Sequence, residues 1–378
     1  MASLTMRSKP SVPIVLLYMF ALVLSYASTI IWLQMVPLLL ACILIVIYRD
    51  CLSGLESSIK LMLIILIASI TLPFPVVLFN NPSTVYYFPL EILMLLIALI
   101  FTRNSGTYVL GLKYTLIIIQ AIIIIFLFQE GLENFPLDRL VPDASANGVT
   151  SYLVLLQASY GLALYSRKKR VPLITSSLTL GIAIVGWGRG SVIAALALLA
   201  INLYFTHINY RAKFPVILKY VAVFIIAFLG WFYQSEVEEF FVVNTKLGGG
   251  VYDDSRASII RDYFENIDAV SLIFGADYAD TSIETEYRGN PHNSYIRAHH
   301  TFGILYLVVM LGLPFIAMAL RAGRIKKFVY PLLMIMIMWF RAFTEPIVFP
   351  TLLDIFYFAS IFIMIQGLRA SRGFINEK

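Results

Sequence analysis

The sequence predicts an all-α polytopic membrane protein of about twelve transmembrane helices, with one large outward loop before the tenth. Three observations predict it. Hydrophobic residues make up 60% of the chain and charged residues only 13%, against roughly 25% charged in a soluble domain. Apolar runs long enough to cross a bilayer, about 17–20 residues each, recur along the whole length. Threading those runs alternately puts the short basic clusters on one side, as the positive-inside rule requires.

The runs place helices near 12–28, 31–48, 59–79, 84–102, 107–128, 150–166, 171–187, 190–206, 214–233, 301–320, 328–343 and 348–367. Trp32, Gln34 and Pro37 suit a tight interfacial turn between the first two. Gly186-Trp187-Gly188-Arg189-Gly190 breaks the stretch 171–206 and brings a charge to the break. Met1–Ser11 carries Arg7 and Lys9 and has no small-residue cleavage site, so the first run reads as a retained span. Cys42 and Cys51 lie in and just past an apolar helix, which implies no disulfide framework.

With the N-terminus inside, the inner loops receive Arg49 and Lys60, Arg103 and Lys113, Arg167–Arg170, Arg211 and Lys213, Arg321–Lys327, and finally Arg369, Arg372 and Lys378. One helix more or fewer would move Arg167–Arg170 or Arg321–Lys327 outside. Both termini are therefore expected to be cytoplasmic, in one integral domain over 1–378. The net charge of +6 then describes inner loops and gives no nucleic-acid signal. Two outer segments stand out. The small one, 129–149, is acidic, with Glu130, Glu133, Asp138 and Asp143. The large one, 234–300, holds Ile259, Ile260, Tyr263 and Phe264 at helical spacing, which predicts a surface helix. No internal repeat is visible, which argues against the two equivalent halves of many transporters.

Chemistry concentrates at the end of the large loop. Tyr287–Gly303 holds three of the four histidines, His292, His299 and His300, with Arg288 and Arg297. The helix after it is expected to begin at about Thr301. His292 is the natural proton handler, because imidazole titrates near neutral pH, and Asn293 beside it is placed to hold the ring. A zinc site on the three histidines is the rival reading, but no well-placed carboxylate or cysteine joins them. No metal and no cofactor is expected.

Arg189 lies at the outer end of a span, where the positive-inside rule disfavours it, between glycines that would let a ligand approach the backbone. Arg256 and Arg261 fall in the surface helix, and pairing with Asp253, Asp254 or Asp262 is as good a reading of Arg261 as ligand binding. Arg341 and Glu345 lie one turn apart near the outer end of the eleventh span, so Glu345 reads as an ion-pair partner. Glu91 and Asp354 are carboxylates about two turns inside their spans, placed to bind an acceptor hydroxyl or to pair with Arg341 or Arg189. Arginine forks match phosphate bidentately, so forks converging from several outer segments would make a diphosphate site. There is no Gly-rich nucleotide loop and no recognisable hydrolase motif.

Pro291-His292-Asn293-Ser294-Tyr295-Ile296, followed at Gly303 by an apolar helix, resembles the His-Asn motif of the O-antigen ligase and O-antigen polymerase family. Gly188-Arg189-Gly190-Ser191 matches that family's outer-end arginine, and Ser255-Arg256 matches its arginine early in the large periplasmic loop. The resemblance runs from about Leu180 to Leu320. It implies a GT-C-like glycosyltransferase of the bacterial inner membrane, with its site facing the periplasm. The donor would be a glycan on undecaprenyl diphosphate. Arg189 and Arg256, joined by Arg341, would bind the diphosphate, with Arg261, Arg297, Asn293, Glu345 and Glu91 in support. His292 would be the base of a metal-independent, inverting transfer.

The acceptor stays open between a second lipid-linked repeat unit, for a polymerase in polysaccharide or lipopolysaccharide synthesis, and lipid A–core, for a ligase. The Ile- and Tyr-rich spans and the His299-His300 pair favour the polymerase, which would work beside a flippase and a chain-length regulator. A lipid-linked oligosaccharide flippase is the alternative from another class. It would need charges lining both halves of the chain, whereas these cluster in the C-terminal half.

Overall fold

The computed structural model describes residues 9–28, 30–80, 82–131, 136–141, 146–186, 188–210, 254–265, 267–320 and 325–366. Among them every regular element is helical. The helices are α1 (Val12–Ala27), α2 (Ile31–Ile47), α3 (Ser57–Thr71), α4 (Phe74–Asn80), α5 (Tyr87–Thr102), α6 (Ser105–Glu130), α7 (Ala146–Ser166), α8 (Leu173–Val185) and α9 (Arg189–Tyr210). Next come α10 (Asp254–Glu265), α11 (Ala269–Phe274), α12 (Ser282–Thr285), α13 (Ser294–Ala319), α14 (Ile325–Thr344) and α15 (Asp354–Gln366).

The chain is a multi-pass helical membrane protein. Among the described residues, 6 helical stretches are long and apolar enough to cross a bilayer: Ser57–Leu78, Pro82–Thr102, Ser105–Glu130, Arg189–His207, Ser294–Ala319 and Lys327–Thr344. Val12–Ala27, Trp32–Ile47, Leu173–Val185 and Asp354–Gln366 are shorter apolar helices. Large apolar side chains such as Leu17, Ile43, Ile64, Ile122, Val308 and Phe315 are exposed on helices whose other faces are buried. A surface of that kind suits lipid and not water.

The expected spans meet helices throughout, except 214–233, which lies outside the described residues together with the large loop as far as 253. Three boundaries differ. The span expected over 59–79 is interrupted at Leu72-Pro73 between α3 and α4, because proline lacks the amide that would continue the ladder. The helix expected from 348 begins only at Asp354, since Pro346 and Pro350 hold the chain irregular before it. The helix expected from Thr301 begins at Ser294 and runs through His299 and His300.

Two helices form the centre. α15 is buried continuously from Asp354 to Ile365, and α7 from Val149 to Leu164. Helices buried all round carry no polar face, and α15 fits that rule. α7 instead carries Ser151, Gln157 and Ser159, all shielded by protein. Its small residues admit close neighbours, as at Gly161, where a Cβ would meet the Tyr330 hydroxyl. Gln157 Nε2 donates to Ser176 Oγ at 3.1 Å, Asn202 Nδ2 donates to the same oxygen at 2.7 Å, and Tyr330 Oη donates to Asn202 Oδ1 at 2.6 Å. This network ties α7, α8, α9 and α14 together. Each such bond contributes about 0.6 kcal/mol in a membrane interior.

The helix expected around Ile259–Phe264 is present as α10. Its stripe turns into the protein: Ile259 and Tyr263 are buried with Ala276, Ile283 and Ile296 in a small second core, while Phe264 is exposed. This core joins the loop helices to the start of α13. α11 then seats against the middle of α13, where Gly303 (φ 73°, ψ −174°) breaks the helical backbone. A Cβ on Gly303 would collide with the Ile273 carbonyl. A Cβ on Gly275 would lie 2.6 Å from the His300 carbonyl oxygen. The left-handed φ and the close backbone approach both require glycine at 303.

Candidate functional site

His292 has a left-handed backbone, φ 48°, in the turn before α13. Its N–H donates to Asn290 Oδ1 at 3.0 Å, and its half-buried ring stands edge-on to Tyr287, with centroids 5.4 Å apart. Asn293 is the N-cap of α13, its Oδ1 accepting from Tyr295 N–H at 2.8 Å and Ile296 N–H at 3.3 Å. This carbonyl satisfies amides that a helix start leaves without partners. His292 thus precedes the helix by two residues, and not by the nine that a start at Thr301 implied.

Ser294 anchors this turn to the far end of the chain. Its hydroxyl donates to the Glu345 carbonyl at 2.7 Å and accepts from Val348 N–H at 3.2 Å. Glu345 lies one residue beyond α14, and Arg341 lies one turn before it. Arg341 is only 1% exposed. Its Nε donates to Ser151 Oγ at 3.1 Å, its Nη2 donates to the same oxygen, and its Nη1 donates to Thr344 Oγ1 at 2.7 Å. Ser151 and its neighbour Thr150 face two partners, because Thr150 Oγ1 and Ser191 Oγ are 2.5 Å apart. Tyr26 lies within electrostatic range of both Arg341 and Glu345.

Arg189 opens α9 and is half-buried. A cation at a helix N-terminus stands against the dipole, and the free amides there add to its pull on an anion. The flanking glycines do not hold a space open for a ligand. A Cβ on Gly188 would strike the Asn147 side chain, and one on Gly190 would strike Arg341 Nη1. These glycines let α7 and α14 come close to the start of α9. The structure therefore brings Arg341 against the residue next to Arg189, and ties the turn behind His292 to the same end of α14.

Other predicted residues go elsewhere. The Arg256 backbone belongs to α10, and its side chain lies outside the described residues. Arg261 is exposed on α10. The carboxyl of its neighbour Asp262 accepts from Ser282 N–H at 2.5 Å, and Ser282 holds it below the usual carboxylate range. Arg297 lines a cavity whose walls include none of Arg189, Arg341 and His292. Glu91 lies one turn into α5 and, among the described residues, pairs with no arginine; its Oε1 accepts from Tyr306 Oη, and its side chain lies near Asp354. Asp354 is the first residue of α15, and its oxygens accept from the N–H groups of Phe349 and Thr351.

His299 and His300 are buried joints. His299 Nε2 is 2.9 Å from the Leu272 carbonyl, which can only accept, so that nitrogen carries the proton and Nδ1 accepts from Tyr263 Oη at 2.8 Å. His300 Nδ1 donates to the Ala276 carbonyl at 2.6 Å while its ring stacks on Tyr278, with centroids 3.7 Å apart. Burial raises the Tyr263 and Tyr278 phenols above their ordinary range, so both remain hydroxyls. Among the described residues, no group of three or more His, Cys, Asp or Glu side chains is placed to hold a metal ion.

Sequence reasoning missed Ser294, Ser151, Tyr26 and Tyr306. Ser294 was visible as part of the His-Asn-Ser run, and an asparagine before an apolar run is a capping signal. The other three carry no local signature. Comparison with protein-family models, with curated proteins and with solved structures finds no match to this chain.

Proposed function

We propose that the chain is a membrane glycosyltransferase that polymerises undecaprenyl-diphosphate-linked oligosaccharide repeat units at the periplasmic face of the bacterial inner membrane. In this reading it has twelve spans of GT-C type with both termini in the cytoplasm. The observation that carries it is the Ser294–Glu345 link, which fixes the His292 turn to the end of α14, where Arg341 abuts the Arg189 segment. A base-capable imidazole and two guanidinium groups thus belong to one end of the bundle.

His292 takes the proton of the acceptor hydroxyl as its oxygen bonds to the anomeric carbon. The bond from that carbon to the diphosphate oxygen breaks in the same displacement, which inverts the anomeric centre. Arg189 and Arg256 offset charge growing on the departing diphosphate, with Arg341 behind them. A lipid diphosphate is already a good leaving group, so the chemistry calls for neither a metal nor a nucleotide. The acceptor is a second lipid-linked repeat unit.

The test is purified protein incubated with lipid-linked repeat units, read as a ladder of glycan lengths on a gel. A ladder supports the polymerase. Transfer of single chains to added lipid A–core, with no ladder, selects the ligase. Protein-dependent movement of the lipid across vesicles without any new glycosidic bond selects the flippase.

A further inference from the structure

A cavity of about 440 Å³ lies between the outer halves of α1 and α2, the start of α5 and the segment before α15. Ligand pockets typically fall between about 300 and 1,000 Å³. Its walls are mainly apolar, with Leu22, Leu38, Leu90 and Leu353, and its one charged lining residue is Arg297. Arg297 is half-buried, and its guanidinium has no hydrogen-bond or ion-pair partner among the described residues. A fork with five donors in such a place calls for an anion. The carboxylate in its field, Asp354, has both oxygens engaged by backbone N–H groups.

The rim adds the depth. Met35 is 43% exposed and Tyr86 55% exposed, and Trp32, one turn before Met35, is 82% exposed. Exposed Trp and Tyr on membrane helices mark the level of the lipid headgroups. The cavity therefore has a cation at headgroup level, an apolar interior and an open rim between helices.

We propose that this cavity seats an anionic amphiphile, its phosphate on the Arg297 fork and its hydrocarbon chain among Leu22, Leu38 and Leu90. Its identity rests on the function proposed above. With the donor diphosphate assigned to Arg189, Arg256 and Arg341, this occupant is the second lipid-linked substrate, the acceptor. The chemistry is a phosphate on a prenyl chain.

The experiment titrates the full-length protein in detergent with geranylgeranyl phosphate, phosphatidylglycerol and inorganic phosphate, and reads binding by native mass spectrometry. Arg297→Ala is expected to weaken the prenyl phosphate roughly ten- to a hundredfold, the range for loss of a hydrogen bond to a charged group. Met35→Trp, which narrows the rim, is expected to weaken it too. Arg139→Ala, which removes an exposed charge paired with Glu130, is expected to leave binding unchanged. Arg297→Lys keeps the charge and serves as the folded comparison, with intermediate affinity expected.

Unchanged affinity in both Arg297→Ala and Met35→Trp overturns the site. Equal Arg297 dependence for phosphatidylglycerol overturns its assignment to a prenyl-linked substrate. Equal dependence for inorganic phosphate overturns the amphiphile. His292→Ala is expected to bind the prenyl phosphate as tightly as the unaltered protein. If His292→Ala still transfers glycan while Arg297→Ala loses binding, the assignment of the base fails and the cavity stands.

Discussion

Tyr306 in α13 donates its hydroxyl to Glu91 Oε1 in α5, beside Asp354 at the head of α15. Both carboxyl groups are fully buried. Asp354 accepts from Phe349 N–H at 2.8 Å and from Thr351 N–H. The Tyr306 bond fastens α13 to α5, and the Asp354 bonds hold the irregular segment before α15.

The Tyr306–Glu91 bond predicts an asymmetry between two variants. Glu91→Gln keeps a carbonyl for the Tyr306 hydroxyl at nearly the same volume, so thermal denaturation should show a stability within about 1 kcal/mol of the unaltered protein. Glu91→Ala leaves the buried Tyr306 hydroxyl without its acceptor and opens a void, at a cost of about 2–5 kcal/mol. Full transferase activity in Glu91→Gln would make the carboxyl structural. Loss of activity in a stable Glu91→Gln would show that its carboxyl takes part in turnover.

The Tyr263–His299 bond predicts how the loop is held. Tyr263→Phe leaves His299 Nδ1 buried without a donor, a penalty of about 1–3 kcal/mol, while the α10 apolar stripe keeps its shape. Hydrogen exchange over Ala269–Phe274 should quicken in this variant, and exchange within α7 should not. Zinc chelation should leave the unaltered protein's exchange pattern unchanged. A pattern that responds to chelator would restore the metal reading of His299 and His300.

How far the sequence could be read depended on the range of the interaction. Apolar runs located the membrane helices because an apolar environment acts along a whole helix, and the stripe of Ile259 and Tyr263 located α10 because burial against protein recurs at helical spacing. Contacts across long stretches of chain left no trace: nothing local marks Tyr306 as the partner of Glu91, or Ser151 as that of Arg341. Some signals have two physical causes. Glycines beside Arg189 would serve a ligand's approach or a helix's approach equally, and here they admit Asn147 and Arg341. Asn293 beside a histidine fits a ring holder or a helix cap, and its carbonyl caps α13. Gly303 fits a helix start or a kink, and with Asn293 capping ten residues earlier in the chain it is a kink.

The positive-inside reading predicts the side of each loop. A reporter fused after Arg170 or Lys327 should report cytoplasm, and one fused at Gly249 should report periplasm. A periplasmic signal at Lys327 would place the Arg341 end of α14 inside and remove the outer-face site along with the twelve-span arrangement.

The transfer chemistry predicts different losses at His292, Arg189 and Arg341. His292 stands in an irregular turn, half-buried, two residues before the helix that Asn293 caps. Its replacement should disturb little packing, because the cap and the Ser294–Glu345 bond lie beyond it. A positioned base contributes about 10²–10⁴-fold in rate, so His292→Ala should accumulate single repeat units while membrane levels stay normal. Arg189→Lys keeps the charge and loses the fork, and activity should fall sharply with normal insertion. Arg341→Lys should act differently. Its guanidinium is buried on the hydroxyls of Ser151 and Thr344 and against Gly190, so a lysine loses part of that packing, and stability should fall together with activity. Measured on the same membranes, glycan ladders and melting curves separate the two effects. Full activity in Arg189→Ala would reduce that residue to an interfacial anchor. A stable, inactive Arg341→Lys would move it into direct contact with the diphosphate.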